Sequence, residues 1–405
     1  MKKVIVLCTM VLCLLHSLSS ESSVYSGADK STQKIIKKVD DLIAQQKFDT
    51  AFQLLEKNNT NAYLVAKKVE VATNYFVQSL NHISFAFKDL KKGETIEALR
   101  MSEGSFPMYY FDPVEVISAL LKSGHQEPIL YKALGDYYFD VSLRYEGRWI
   151  EDDTSIARKI VENYSKAYQG GMYTVPMLVN FANKTALFGN YAQAIELYTK
   201  ALSENSSLPD VNYNLAYWYL VVGNYDKALE EGNKALIAYS NNLNYQMDAI
   251  LLCADASYYK KDFDLSIAYL KRALKISTEE YRVFLRLGKN YLAMDKISEA
   301  NQNFDTLFDF APTYPSATQM VSESFLAEKN KEALYKFYIR NLLKYSDHLE
   351  VEGNLLFHLA LQYERDGNIK KAVDTVLLSQ KKYMQAEKYD DDIRTAIESL
   401  LARNM

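Results

Sequence analysis

Leu187-Phe188-Gly189-Asn190-Tyr191, followed by Ala194, Tyr198 and Ala201-Leu202, is answered by Val221-Val222-Gly223-Asn224-Tyr225, followed by Ala228, Gly232 and Ala235-Leu236. The two blocks, 175–208 and 209–242, repeat with a period of 34 residues. A fixed period of this size marks an array of helical repeats. Each period has room for two antiparallel helices of about a dozen residues and a short turn. Gly189, Gly223 and Gly367 fall at that turn, where a positive φ costs glycine little. Small residues stand where the paired helices approach: Ala182, Ala194 and Ala201 in one block, Ala216, Ala228 and Ala235 in the next. Large residues (Phe181 and Tyr198, then Leu215 and Tyr219) fill the space between, and Pro312 stops a second helix.

The pattern continues downstream. Residues 247–280 carry Ala254, Phe263, Ser266, Leu270 and Ala273-Leu274; residues 281–314 carry Phe284, Leu287-Gly288, Tyr291, Ala300, Phe304 and Pro312. Block 315–348 keeps Ala333 and Phe337 but has Arg340 where a small residue is expected. Block 353–386 keeps Leu359-Ala360, Tyr363, Gly367, Ala372, Val376 and Ser379. Upstream, Tyr131, Leu134-Gly135 and Tyr138 read as a first helix whose partner, at 154–169, follows an insertion. Ile35, Leu42, Phe48, Ala51 and Leu55 read as a degenerate repeat. Together these residues resemble the tetratricopeptide repeat (TPR) family.

The resemblance implies an all-α fold, a right-handed helical-repeat solenoid of the TPR-like superhelical kind. It also implies a non-enzymatic scaffold that binds a protein or peptide partner. In that family the first helix of each pair lines a concave groove. Carried onto this chain, the groove face takes Asn183, Leu187, Tyr213, Tyr217, Leu220, Asp255, Tyr258, Tyr259, Lys289 and Leu292. The family's Lys and Asn clamp for carboxy-terminal peptides is not matched, because Tyr213, Tyr217, Leu251 and Asp255 stand at the relevant places. Tyrosine suits peptide recognition, since it supplies apolar area and a hydrogen-bonding handle at low entropy cost. The alternative role for each tyrosine is packing between repeats.

The expected organisation is an export signal at 1–20, an irregular helical region at 21–127, a divergent repeat with insertion at 128–174, the TPR array at 175–386 and a capping helix at 387–405. Lys2-Lys3, the apolar run Val4 to Leu15, and Ser17 and Ser19 have the layout of a cleaved leader. This places the protein in a periplasm or outside the cell, with an uncleaved amino-terminal membrane anchor as the alternative. Residues 61–91 are patterned at spacings of three to four from Ala62 to Leu90, which predicts one long helix, for solenoid packing or for an oligomer or membrane-surface contact. Residues 104–112 form an apolar connector. Phe106, Met108, Tyr109, Tyr110 and Phe111 either pack over the array or serve as a lid or plug for a partner. Asp112, Pro113 and Glu115 start a short helix ending near Gly124. At the other end Ile393, Ala396, Ile397, Leu400 and Leu401 share one face, as a cap needs.

The chain of 405 residues carries a formal charge of −4, and loss of Lys2 and Lys3 with a leader makes it more negative. A basic stripe for nucleic acid is not expected. His82, His125, His348 and His358 are far apart in sequence, and Cys253 alone would remain after cleavage, so neither a metal site nor an internal disulfide is expected. Glu151-Asp152-Asp153 and Asp390-Asp391-Asp392 precede helices and read as caps. No catalytic motif stands out and no cofactor is implied. The competing function is an envelope-assembly or transport accessory, peripheral to a membrane, whose amino-terminal helical region meets a membrane component or an apolar ligand.

Overall fold

The computed structural model describes residues 24–102 and 104–404; the export signal read at 1–20 lies outside them. The chain forms two compact units, one running to Val211 and one beginning at Asn212. Among the described residues there are α-helices almost throughout, in antiparallel pairs, and one small sheet. No helix among them is long and apolar enough to cross a membrane.

The first unit opens with α1 (Lys30–Ala44), α2 (Phe48–Leu55) and α3 (Ala62–Asn74). The long helix expected from 61 to 91 is corrected here: it stops at Asn74. Residues 78–80 and 84–86 are strands β1 (Gln78–Leu80) and β2 (Ser84–Ala86), and Tyr109–Tyr110 adds β3, in the order β1-β2-β3, all antiparallel. The reason lies in Asn81 and His82, which take φ of 47° and 53° and, with Ile83, turn the chain back through a three-residue connection between Leu80 and Ser84. Phe85 and Phe87 then bury against Phe76 and Phe52 rather than along a helix stripe.

The apolar connector is partly core. Phe111 is 2% exposed and lies under the Lys68 ammonium at 4.4 Å, so it is not available as a lid. Tyr109 is tied to α2, donating to Asp49 Oδ1 and accepting from Gln53 Nε2 at 2.9 Å each. Phe106 is half-buried, and Met108 and Tyr110 are exposed. After α4 (Ile96–Arg100) and β3 comes α5 (Pro113–Lys122), capped by Asp112 through Val114 N and Glu115 N, as the sequence predicts. The first regular pairs follow: α6 (Pro128–Tyr145) with α7 (Asp153–Gln169), then α8 (Val175–Leu187) with α9 (Tyr191–Glu204). An ion cluster around one buried lysine braces the start of this unit. Lys67, 1% exposed, meets Asp40 and Glu70 at 2.5 Å each, and Tyr25 donates to Glu70 at 2.7 Å.

The unit boundary falls within α10 (Pro209–Val221), which is followed by α11 (Tyr225–Ala238). Next come α12 (Leu243–Tyr259) with α13 (Phe263–Leu274), α14 (Tyr281–Ala293) with α15 (Ile297–Phe310), α16 (Pro315–Ala327) with α17 (Lys331–Lys344), and α18 (Leu349–Arg365) with α19 (Ile369–Gln385). The last helix, α20 (Asp391–Asn404), buries Ile397 and Leu400 against Ala360, Val376 and Tyr383.

One turn recurs in every pair from α8 onward. A residue with positive φ is followed by the cap of the second helix. The first residue is Gly189, Gly223, Lys261, Asp295, Lys329 or Gly367, with φ from 56° to 80°. Asn190, Asn224, Asp262, Asn330 and Asn368 then accept from the backbone three residues on. Measured turn to turn the period is not constant. It lengthens by four residues at α12 and at α18, which have 17 residues where α8, α14 and α16 have 13. Pairing is tightest where an aromatic ring of the second helix lies over a backbone site that tolerates no side chain. Tyr164 covers Gly135, Phe304 covers Gly288 and Tyr383 covers Gly353. Arg340, unexpected at its place, makes a bidentate pair with Asp305 on α15 at 2.8 Å.

Candidate functional site

Within the second unit, the first helices of successive pairs stand side by side and share one face. Tyr258 at the end of α12 donates to Glu328 Oε1, just past α16, at 3.3 Å. That bond passes over α14, the helix between. Tyr258 and Glu328 thus link first helices two places apart in this unit.

Opposite charges one repeat apart lock this face. Arg286 on α14 grips Asp255 on α12 with two bonds of 2.7 and 2.8 Å. Arg282, one turn earlier, bonds Asp248 at 2.8 Å and Glu280 at 2.7 Å. A bidentate guanidinium–carboxylate pair fixes both partners in plane, more firmly than a lysine would. Lys289, the next cation along α14, is partly buried and makes no hydrogen bond or ion pair among the described residues. Burial pushes its pKa down, and Arg286 beside it pushes the same way; Asp255 and Glu323 oppose them. Burial, then the Glu328 carboxylate, raises the Tyr258 hydroxyl to about 12, so it remains a hydrogen-bond donor.

Asp255 and Tyr258 lie one turn apart on α12, and the Asp255 carboxylate acts on the Lys289 ammonium of α14. Tyr217 and Leu220 are half-buried on α10, with Tyr217 edge-on to Trp218 at 4.9 Å. Tyr213 is half-buried and packs on the core around Ile250 and Leu251. Tyr259, 57% exposed, stacks on Tyr225 at 6.0 Å. Leu292 is a correction: it is 5% exposed, inside the core with Phe304, Val321 and Phe325, and no partner can reach it. Asn183 and Leu187 belong to the first unit, where Asn183 accepts from Tyr198 and Leu187 is exposed. Sequence reasoning missed Arg282, Arg286, Glu323 and Glu328. The signal for Arg282 was present, because Asp248 and Arg282 are opposite charges one 34-residue period apart.

Paired helices of this length, joined by one recurring turn and stacked on a shared face, define a helical-repeat solenoid protein. Residues 187–247 match the family model described as tetratricopeptide repeat. Among solved structures the chain is similar to YrrB, described as a TPR protein with an unusual peptide-binding site. Identity is 21% over 47% of this chain and 96% of that one, with a TM-score of 0.34. A tetratricopeptide repeat protein from Parabacteroides merdae matches at 15% identity over 67% of this chain and 97% of that one, TM-score 0.44. TTC0263, a TPR protein of Thermus thermophilus, matches at 19% identity over 45% and 97%, TM-score 0.33. No curated protein matches the chain.

Proposed function

We propose that this protein is a non-enzymatic scaffold that holds an extended segment of a partner protein on the concave face of its second unit. The observation that supports this reading is the bond from Tyr258 on α12 to Glu328 beside α16, two first helices along the stack. Stacked helices preorganise such a face, so a peptide meets little ordering cost on the protein side. Tyr217 and Tyr258 are the proposed anchors, since partly buried aromatic side chains carry most of the energy at such surfaces. The leader-like first twenty residues suit an encounter in the periplasm or outside the cell.

The test is an affinity capture from the envelope fraction of the source cell with the chain from residue 21 on, beside a Tyr217→Ala/Tyr258→Ala variant. Loss of one protein in the variant, with the helical circular-dichroism signal unchanged, supports the reading. Equal capture by both forms refutes the groove assignment. Bound lipid in place of protein would move the function to the amino-terminal region.

A further inference from the structure

On several helices a surface lysine is paired with an acid four residues away: Lys132 with Asp136, Lys200 with Glu204, Lys336 with Glu332. The first helix, α1, has no such pair. Lys30, Lys34, Lys37 and Lys38 are all exposed and share one face, opposite the buried Thr32, Ile36 and Val39. None of the four makes a hydrogen bond or ion pair among the described residues. Like charges repeat at the four-residue spacing instead, Lys30 to Lys34 and Lys34 to Lys38, which works against the helix. Lys30 also stands in the first turn, where the macrodipole disfavours a cation. The nearby acids do little to relieve this. Asp29 is engaged as the helix cap by Ser31 N and Thr32 N, Asp40 holds Lys67 at 2.5 Å, and Asp41 lies at the foot of the stripe.

The charge of the chain is divided in the same sense. Residues 24–102 hold 12 Lys and Arg against 9 Asp and Glu, and residues 103–405 hold 33 against 41. The stripe is thus a local positive feature of a chain that is acidic as a whole. It also lies where the chain joins the first unit. Val24 and Tyr25 are buried, and Gln33 of α1 donates through Nε2 to Ser26 O and Ala28 O at 3.1 and 2.8 Å. The apolar run Val4 to Leu15 ends nine residues before Val24, a span of at most about 30 Å. A bilayer that receives that run therefore has α1 within reach.

We propose that the lysine stripe of α1 docks the first unit on a membrane surface through anionic phospholipid headgroups. Lysine suits this ligand. Its ammonium is a hydrated point charge on a flexible stem and matches a plane of mobile phosphates, whereas a fixed carboxylate is better held by the planar fork of arginine. Contact also relieves the repulsion within α1, because the phosphates supply the counter-charge that the helix lacks. The groove reading concerns the second unit and does not depend on this contact.

The test is sedimentation of the chain from residue 21 on, which keeps every described residue, with two kinds of vesicle. One is phosphatidylcholine alone, the other equal parts of phosphatidylcholine and phosphatidylglycerol. Two variants lose the same charge at different places: Lys34→Gln/Lys38→Gln on α1, and Lys271→Gln/Lys275→Gln at the end of α13. The expected result is binding to the anionic vesicles only, weakened about fivefold for each α1 lysine removed and unchanged in the α13 variant. Salt at about 1 M should release the chain, because screening then acts over about 3 Å. The α1 variant should melt no lower than the parent, since it removes like-charge pairs, so its loss of binding is not a loss of fold. Binding to neutral vesicles as well, equal loss in both variants, or indifference to both kinds of vesicle overturns the stripe as a docking surface. Inorganic polyphosphate held through the same lysines, by a chain that ignores anionic vesicles, overturns the lipid assignment and makes a soluble polyanion the ligand. The capture experiment with Tyr217 and Tyr258 decides the groove separately from all of these.

Discussion

The turn between the two helices of each pair offers a matched set of substitutions with opposite signs. Gly189 and Gly367 hold φ of 79° and 74°, and a Cβ at either would meet nothing within 4 Å. Lys261 and Lys329 hold the same left-handed conformation with a side chain, at φ of 66° and 56°, and those side chains make no hydrogen bond or ion pair among the described residues. Any stability change at these four positions therefore comes from the backbone alone. Placing a Cβ in the left-handed region costs about 1–2 kcal/mol, and the stiffer unfolded chain returns about 0.4–1 kcal/mol. Gly189→Ala and Gly367→Ala should each lose about 1 kcal/mol, and Lys261→Gly and Lys329→Gly should each gain about as much. A unit of this size moves about 2–4 °C per kcal/mol, so the double glycine variant should melt about 4–8 °C higher. Far-UV circular dichroism against temperature and urea, on the full chain, reads all four. If the alanine variants are neutral, or the glycine variants melt lower, the recurring turn does not have the conformation assigned to it.

Three further outcomes follow from burial and charge. Lys67→Ala leaves the partly buried Glu70 without its counter-charge at the base of the first unit, and should cost about 1–3 kcal/mol in urea unfolding; an unchanged midpoint would mean the cluster is dispensable. Gly288→Ala drives a methyl into the Phe304 ring and should cost about 1–3 kcal/mol, whereas Gly367→Ala, with open space, costs only its backbone term. Burial, then Arg365, lowers His358 from 6.5 to about 4, while a hydrogen bond with the Pro315 backbone works the other way. The unfolded chain therefore binds a proton that the folded one refuses. Stability is full above about pH 6.5 and falls between there and pH 4, by up to about 3 kcal/mol. Urea midpoints at pH 7.5 and 4.5 for the parent and His358→Leu, with buffer pH values of about this spacing, should show the drop shrinking in the variant.

Much of the second unit was legible because its signal is local and repeated. Gly-Asn at the turn, small residues at the helix contacts and aromatic residues between them recur in register, and each has a packing reason visible in one period. The hairpin was not legible. Val65, Val69, Ala72, Phe76, Leu80, Ile83 and Phe87 fit a helix stripe on paper, yet a run that straddles Asn81-His82 supports two periodicities, and burial against Phe52 chooses between them. The candidate site was half legible. Asp255, Tyr258 and Lys289 follow from helix position, but Glu328 reaches Tyr258 from 70 residues away, a relation that depends on curvature rather than spacing.

The 17-residue helices α12 and α18 show which length changes this architecture admits. Counted back from the turn, both gain their four residues at the amino-terminal end, where Asn242 and His348 cap the added turn. Four residues advance a helix by about 6 Å and about 400°, so the apolar stripe returns to nearly its starting direction. An insertion of two would swing it to the opposite side. Growth by whole turns leaves the hinge chemistry and the packed faces untouched, and lets individual repeats lengthen along one edge without disturbing their neighbours.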